Sequence, residues 1–310
     1  MEISVIVCTY NRSTRLRKTL ASFPKLVFDR PLWELIIVDN NSKDDTKQIC
    51  AEFLQNCTLN ARYIFEDKPG LSEARNRGVR EAQGKIIVFV DDDVDIPSTY
   101  LLEVKKGFET FEPMCVGGRV LLDPSLEKPT WWDERCDGAA GKFDRGDSVI
   151  VAEPNDRELT GIGANMCFRR AALEKYGAFR TDLGRKGVAL KTGEDAEMFR
   201  RLREHGERVL YVPTVLLYHS PSQERFSKRY LRRLYYALGE WRFSNDSDFP
   251  ECTVSILNVP RWRYRRLLMS CMRMLLSAAV GDRKEAFWQE LTLLNCVGYF
   301  VAAWNIRRLL

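Results

Sequence analysis

Asp91, Asp92 and Asp93 stand in a row, with Asp95 two places on, and they follow directly on Ile86–Val90, five apolar residues in succession. That run is too short to span a membrane and β-branched enough to read as a strand buried on both faces. Carboxylates crowded at the end of such a strand repel one another. A hard divalent cation, held by one or two of them together with substrate phosphates, relieves the repulsion. A solvated acidic turn would account for the same letters without any chemistry. Three further polar clusters behave alike, Thr9–Arg12, Asp39–Thr46 and Glu66–Gly70, each following an apolar segment.

The elements that must carry these clusters alternate. Glu2–Tyr10 reads as a buried strand, with Asn11, Arg12 and Ser13 as a turn and cap before an amphipathic helix over Thr14–Phe23. A strand over Trp33–Val38, a helix over Asp45–Asn56, a short strand over Arg62–Phe65 and a helix over Leu71–Gln83 lead to the Ile86 strand. Strand and helix in alternation predict an α/β fold on a parallel sheet. Ligands of such sheets bind outside the carboxyl ends of the strands, where all four clusters fall. The chemistry there suits a nucleoside diphosphate. Asp39 can accept the ring N–H of a pyrimidine, Thr9 and the Tyr10 backbone can flank the base, and Arg75 can face base or phosphate. The acidic triplet would meet the ribose and, through a metal, the pyrophosphate. CTYNRS contains no glycine, which excludes a GxGxxG dinucleotide turn, and no GxxxxGK[ST] phosphate loop occurs. Beyond Pro97 the pattern predicts a helix over Ser98–Phe111, a strand over Cys115–Leu122, a loop-rich stretch from Asp123 to Glu158 and a strand over Val209–Tyr218. Trp131 and Trp132, adjacent in that loop, suit either a sugar-stacking platform or a local core.

With 310 residues and 45% hydrophobic content the chain can bury a large core, and one main domain with a smaller tail is expected. Met1 leads straight into a strand and no apolar run approaches the roughly 18 to 20 residues of a spanning helix, so a cytoplasmic protein is expected. Nine cysteines without a CxxC pair read as reduced, mostly buried thiols. From Arg225 onward there are 15 Lys and Arg against 7 Asp and Glu, whereas residues 1–224 hold 33 against 36. The basic charge belongs to the tail, which argues against a nucleic-acid-binding body and for contact with an anionic phospholipid surface. The tail reads as helices over Phe226–Phe243, Arg261–Leu276 and Leu291–Trp304. They would lie in the plane of a membrane interface, or pack on the catalytic domain or a second subunit of a homo-oligomer.

Six blocks, VIVCTYNR, IIVDNNSKDDT, KPGLSEARNRG, FVDDDV, GIGANMCFRR and GEDAEMFRRL, occur in this order between Met1 and about His219. Together they resemble the family 2 glycosyltransferases, inverting enzymes of GT-A fold that use nucleotide-sugar donors. The resemblance implies a Rossmann-like, mostly parallel central sheet flanked by helices over residues 1–222, and the charge and periodicity of the tail leave a helical basic extension over 223–310. It implies that Asp39 reads the base, with Thr9, Tyr10 and Arg12 beside it and Arg75 as its partner. Asp91 and Asp93 match the ends of a D-x-D motif, the first nearer the ribose and the second on the metal, Mn²⁺ or Mg²⁺. Asp92 fills the variable middle place, where a solvated carboxylate without a role is an equal reading. Gly163, Ala164 and Asn165 would lie along the sugar side of the donor, with a tight strand turn as the plainer reading, and His219 stands where some members bring a late ligand to the metal or diphosphate, or is an ordinary strand-end histidine.

Inverting transfer needs a carboxylate away from the metal to take the acceptor proton. The pair Glu194 and Asp195, opening a helix over Ala196–His205, offers one, and the resemblance points to Asp195, with helix capping as the plainer role for either. The expected activity is transfer from a nucleotide diphosphate, UDP favoured, to a hydroxyl of a glycan or lipid-linked acceptor in polysaccharide or glycoconjugate assembly. A sugar-phosphate nucleotidyltransferase would want a glycine- and lysine-rich phosphate loop near the N-terminus. A non-catalytic nucleotide-sugar sensor would have no need of the Glu194–Asp195 pair.

Overall fold

The computed structural model describes residues 1–153, 160–185, 193–246 and 255–304. Contacts divide the described residues into two units. One comprises those within 1–126, 141–185 and 193–221, and the other those within 127–140 and 222–304.

In the first unit β1 (Ile3–Thr9), α1 (Ser13–Leu20), β2 (Trp33–Asp39), α2 (Thr46–Asn56), β3 (Ala61–Phe65), α3 (Leu71–Glu81) and β4 (Ile86–Asp91) alternate as the periodicity predicts. β5 (Val94–Asp95), α4 (Tyr100–Phe111), β6 (Cys115–Leu122), β7 (Ile150–Val151), β8 (Asn165–Arg169), α5 (Arg170–Tyr176), α6 (Glu194–Glu204) and β9 (Val209–His219) follow. The sheet order is β3-β2-β1-β4-β8-β6-β9-β5, with β7 pairing β9. β1 lies parallel between β2 and β4, β3 runs parallel to β2, and β9 runs parallel to β6. β8 is antiparallel to both of its neighbours, β4 and β6.

Both faces of this sheet are covered, which is why its strands are continuous apolar runs rather than alternating ones. Ile3, Val5 and Val7 join Leu35, Ile37, Val88 and Val90 in one core layer. Ile6, Ile36, Val38, Ile87 and Phe89 face the other. The strand period of two thus divides one sequence run between two cores.

The second unit contains α7 (Lys228–Asp246), a small hairpin of β10 (Ser255–Ile256) and β11 (Val259–Pro260), α8 (Arg261–Ala279) and α9 (Arg283–Ala303). α9 starts eight residues before the apolar stretch at Leu291, because the Asp282 side chain accepts the Glu285 backbone N–H and caps it there. α7 and α9 cross with their backbones nearly touching: a Cβ at Gly239 would stand 2.1 Å from the Asn295 carbonyl oxygen, and one at Gly298 would stand 2.1 Å from that of Tyr236.

The paired tryptophans belong to this unit, where Trp132 is core and Trp131 is half-buried. Trp132 packs 4.8 Å from the Phe226 ring and its indole N–H donates to Asp137 at 2.8 Å, while Trp131 meets Phe287 edge-on. A sugar platform needs an open ring face, and Trp132 is buried. The eight cysteines among the described residues are free thiols, five of them buried; Cys252 and the 154–158 end of the loop lie outside those residues.

Candidate active site

The acidic triplet sits where β4 ends. Asp91 is its last residue, the chain turns through Asp92 and Asp93, and β5 then pairs antiparallel with the end of β9, setting Val94 opposite His219. The Ser220 backbone N–H donates to the Asp93 carbonyl at 2.8 Å and closes the turn. Residues more than 120 positions apart in sequence are therefore side by side. His219 Nε2 lies 3.0 Å from Asp93 Oδ1, and both side chains are buried. Asp91, Asp93 and His219 each offer a ligand atom, all within 4.8 Å of one another. Among the described residues His219 Nδ1 has no hydrogen-bond partner. Two carboxylates and an imidazole fit a divalent cation such as Mn²⁺, which accepts nitrogen more readily than Mg²⁺ does.

Two arginines from α1 and the turn before it face the same carboxylates. Arg12 Nη1 lies 2.9 Å from Asp92 Oδ1 and 3.1 Å from Asp93 Oδ2, and Arg15 Nη1 lies 3.5 Å from the latter. Asp92, for which a solvated surface position was one reading, is buried instead. Thr9 Oγ1 donates to its Oδ2 at 2.7 Å, so both oxygens are held by the β1 end. Burial pushes the Asp92 carboxyl up to about 6, against the pull of Arg12 and with Asp93 adding to the rise. The same surroundings push the Cys8 thiol up to about 12, burial again being the main cause.

Asp39 is also buried, at the end of β2. Its Oδ1 accepts the Ser42 backbone N–H at 2.9 Å and its Oδ2 the Tyr63 hydroxyl at 2.8 Å. Tyr63, on β3, escaped the sequence reading because a tyrosine in a short strand reads as core. Asn40 escaped too: its side chain donates to the Lys68 carbonyl and accepts the Gly70 N–H, both at 2.7 Å, shaping the turn before α3. Asp44, from the same polar burst as Asp39, accepts the Ser13 N–H at 2.9 Å, so the N-terminus of α1 is capped from a distant loop. Tyr10 is exposed, with the next residue, Asn11, in the left-handed region.

Arg75, buried on α3, ties the two chemical centres together. Its Nη1 pairs with Glu194 at 2.8 Å, while its Nη2 donates to the Gly163 carbonyl at 3.3 Å and lies 3.9 Å from Asp91. Burial opposes its charge; Glu194, Asp91 and Asp195 outweigh that and leave its pKa raised. Glu194 is buried too, and burial, then the neighbouring charge of Asp195, raises its pKa in spite of Arg75. Asp195 is only half-buried. Its Oδ2 accepts the Gly163 backbone N–H at 2.7 Å and its Oδ1 the Ala196 N–H at 2.8 Å. The plainer role of Glu194, a helix cap, is therefore not what its side chain does: the residue before α6 is Gly193 in the left-handed conformation, and Glu194 turns inward to Arg75.

Asn165 departs from its expected place along the donor. It is wholly buried at the start of β8, its amide donates to the Arg119 and Val215 carbonyls at 2.9 and 2.8 Å, and it accepts the Tyr100 hydroxyl at 2.7 Å. Every polar atom of that side chain is thus bonded to protein. Ala164 is buried beside it, whereas Gly163 faces Arg75 and Asp195 through its backbone.

The profile of the family described as "Glycosyl transferase family 2" matches residues 4–177. Over 216 residues, 68% of its length, the chain is 27% identical to a glucosyl-dolichyl phosphate glucuronosyltransferase of Haloferax volcanii, and the match spans 66% of that relative, just under two thirds. Among solved structures, the mannosyltransferase PcManGT from Pyrobaculum calidifontis, in complex with GDP-Man and Mn²⁺, superposes with a TM-score of 0.68 at 17% identity, covering 98% of this chain and 87% of that one. TarS residues 1–349 from S. aureus, in complex with UDP-GlcNAc, gives 0.56 at 18% identity, covering 94% and 90%. The curled, mostly parallel sheet flanked by helices is the GT-A fold.

Proposed function

This chain belongs to glycosyl transferase family 2, and we propose that it transfers a sugar, with inversion, from a nucleotide diphosphate donor to an acceptor hydroxyl of a glycan or a lipid-linked glycan. The observation that carries this reading is the Arg75 bridge, which joins the acidic triplet after β4 to the Glu194–Asp195 pair opening α6. A nucleotide-binding protein would need only the first of those centres.

Asp39, Thr9 and Tyr10 take the nucleoside. The Asp39 carboxylate accepts a ring N–H, which favours uracil, and its bonds from Ser42 and Tyr63 hold it in one orientation. Arg12 and Arg15, drawn to Asp92 and Asp93, stand ready for the diphosphate oxygens. A divalent cation, with Asp93 and His219 as ligands and Asp91 beside them, would neutralise the charge on the departing diphosphate. Asp195 is the base. Its half-exposed carboxylate is aimed by the Gly163 N–H and takes the acceptor proton as the hydroxyl attacks the anomeric carbon from the far side. Glu194, paired with Arg75, holds the guanidinium between the two centres rather than taking protons.

Nucleotide sugars and free nucleotides, titrated calorimetrically with Mn²⁺ and then with EDTA, test the reading. UDP is expected to bind more tightly than GDP and only with the cation, and a UDP-sugar is expected to be consumed slowly in the absence of acceptor. Equal affinity for GDP would remove Asp39 as the reader of uracil, and binding unaffected by EDTA would remove the cation.

A further inference from the structure

Among the described residues the helical unit leaves one broad apolar face uncovered. α8 packs on α9 through Tyr264, which meets Phe300 edge-on, and through Arg263, whose guanidinium lies 3.8 Å from the Tyr299 ring centre. The opposite side of α8 carries Leu268, Met269, Met272, Leu275 and Leu276, all exposed, with Leu268 and Leu275 at 65% and 66%. At helical spacing these five fall within about 120° of arc. The hairpin before the helix adds Ile256 and Leu257, the latter 73% exposed at its tip. That tip is held in place, since the Tyr264 hydroxyl donates to the Ile256 carbonyl at 2.9 Å and the Trp304 indole N–H to that of Leu257 at 3.0 Å. Its left-handed Leu257 and Asn258 push the leucine outward at the turn.

The charged residues of this segment are of one sign. Between Glu251 and Asp282 the sequence contains five arginines and no acidic residue. Arg261, Arg265, Arg266 and Arg273 are exposed. We propose that the β10–β11 tip and the outer face of α8 form an in-plane anchor on an anionic lipid bilayer. The leucines and methionines would enter the headgroup boundary and the arginines pair with lipid phosphates. A second copy of the chain fits less well, because it brings four more exposed arginines to the same face, and the segment that builds the face has no carboxylate of its own to meet them. No helix of the described residues is long and apolar enough to cross a membrane, so the contact is with the surface. The anchor does not rest on the proposed transfer reaction, and vesicles without sugar nucleotide or acceptor glycan test it separately.

The full chain is sedimented with phosphatidylcholine vesicles with and without phosphatidylglycerol, at low and high salt. It is expected to pellet with the anionic vesicles and to be released by salt. Leu268→Ser combined with Leu275→Ser, both at exposed positions, lowers the partition coefficient about tenfold or more with the melting temperature unchanged. Arg265→Gln combined with Arg266→Gln does the same on anionic vesicles alone. Unchanged binding in either variant overturns the proposal. So does failure of the wild type to bind vesicles while it forms a dimer that the leucine variant dissolves.

Discussion

Asp195 and Glu194 are neighbours in sequence with opposite surroundings, one half-exposed and aimed by a backbone N–H, the other buried against Arg75. Replacing Asp195 by Asn keeps the shape and removes the proton acceptor. Turnover is expected to fall by about a hundred to ten thousand fold, with UDP affinity by calorimetry nearly unchanged. Weakened UDP binding with turnover intact would instead make Asp195 a structural residue. Asp92 poses a different question, because burial holds its proton more tightly in the folded protein than in the unfolded chain. Its protonated form therefore favours folding, and that contribution is present below about pH 4 and lost as pH rises through about 6. In EDTA, wild type should lose stability relative to Asp92→Asn as pH rises through that interval. A urea-midpoint difference between the two that does not move with pH would mean that Arg12 keeps Asp92 ionised throughout.

The link between β6 and β8 sets where the base can stand. A Cβ at Gly117 on β6 would lie 2.1 Å from the Thr160 carbonyl oxygen and 2.6 Å from the Gly161 Cα, both backbone atoms that a rotamer change cannot move. The segment from Thr160 runs on to Gly163, whose N–H aims Asp195. Gly117→Ala should cost about 1 to 3 kcal/mol by overpacking. It should also displace that segment, so kcat is expected to fall more than UDP affinity does. Urea unfolding together with steady-state kinetics measures both, and a stability loss with kcat unchanged would separate the segment from catalysis. β5, only two residues long, does comparable work by pairing Val94 with His219 and bringing the histidine to the aspartates.

For the whole molecule the clearest handle is linkage between ligand and folding. A ligand at about a hundredfold its Kd that binds only the native state stabilises it by about 2.7 kcal/mol. UDP with Mn²⁺ should raise the melting temperature accordingly, and Asp93→Ala or EDTA should abolish the rise; a rise that survives both would mean the nucleotide binds without this cluster. The alternating strands, the burial of β1, the two-sided burial of β4 and the placing of Thr9, Asp39 and Asp91 at strand ends were all legible in the sequence. They follow from local periodicity, since a strand buried on both faces must be apolar throughout and can turn polar only where it leaves the sheet. The partnerships were not legible: Tyr63 on Asp39, Thr9 and Arg12 on Asp92, His219 on Asp93, and Arg75 between Asp91 and Glu194. Nor was the packing of 127–140 with the C-terminal helices, which turned Trp132 into core. These depend on strand order and on side chains meeting across 16 to 126 residues of chain, and no local pattern encodes distance in space. Asn165 makes the same point: its letter suits a ligand contact, and only the position of β8 between β4 and β6 commits its amide to the sheet.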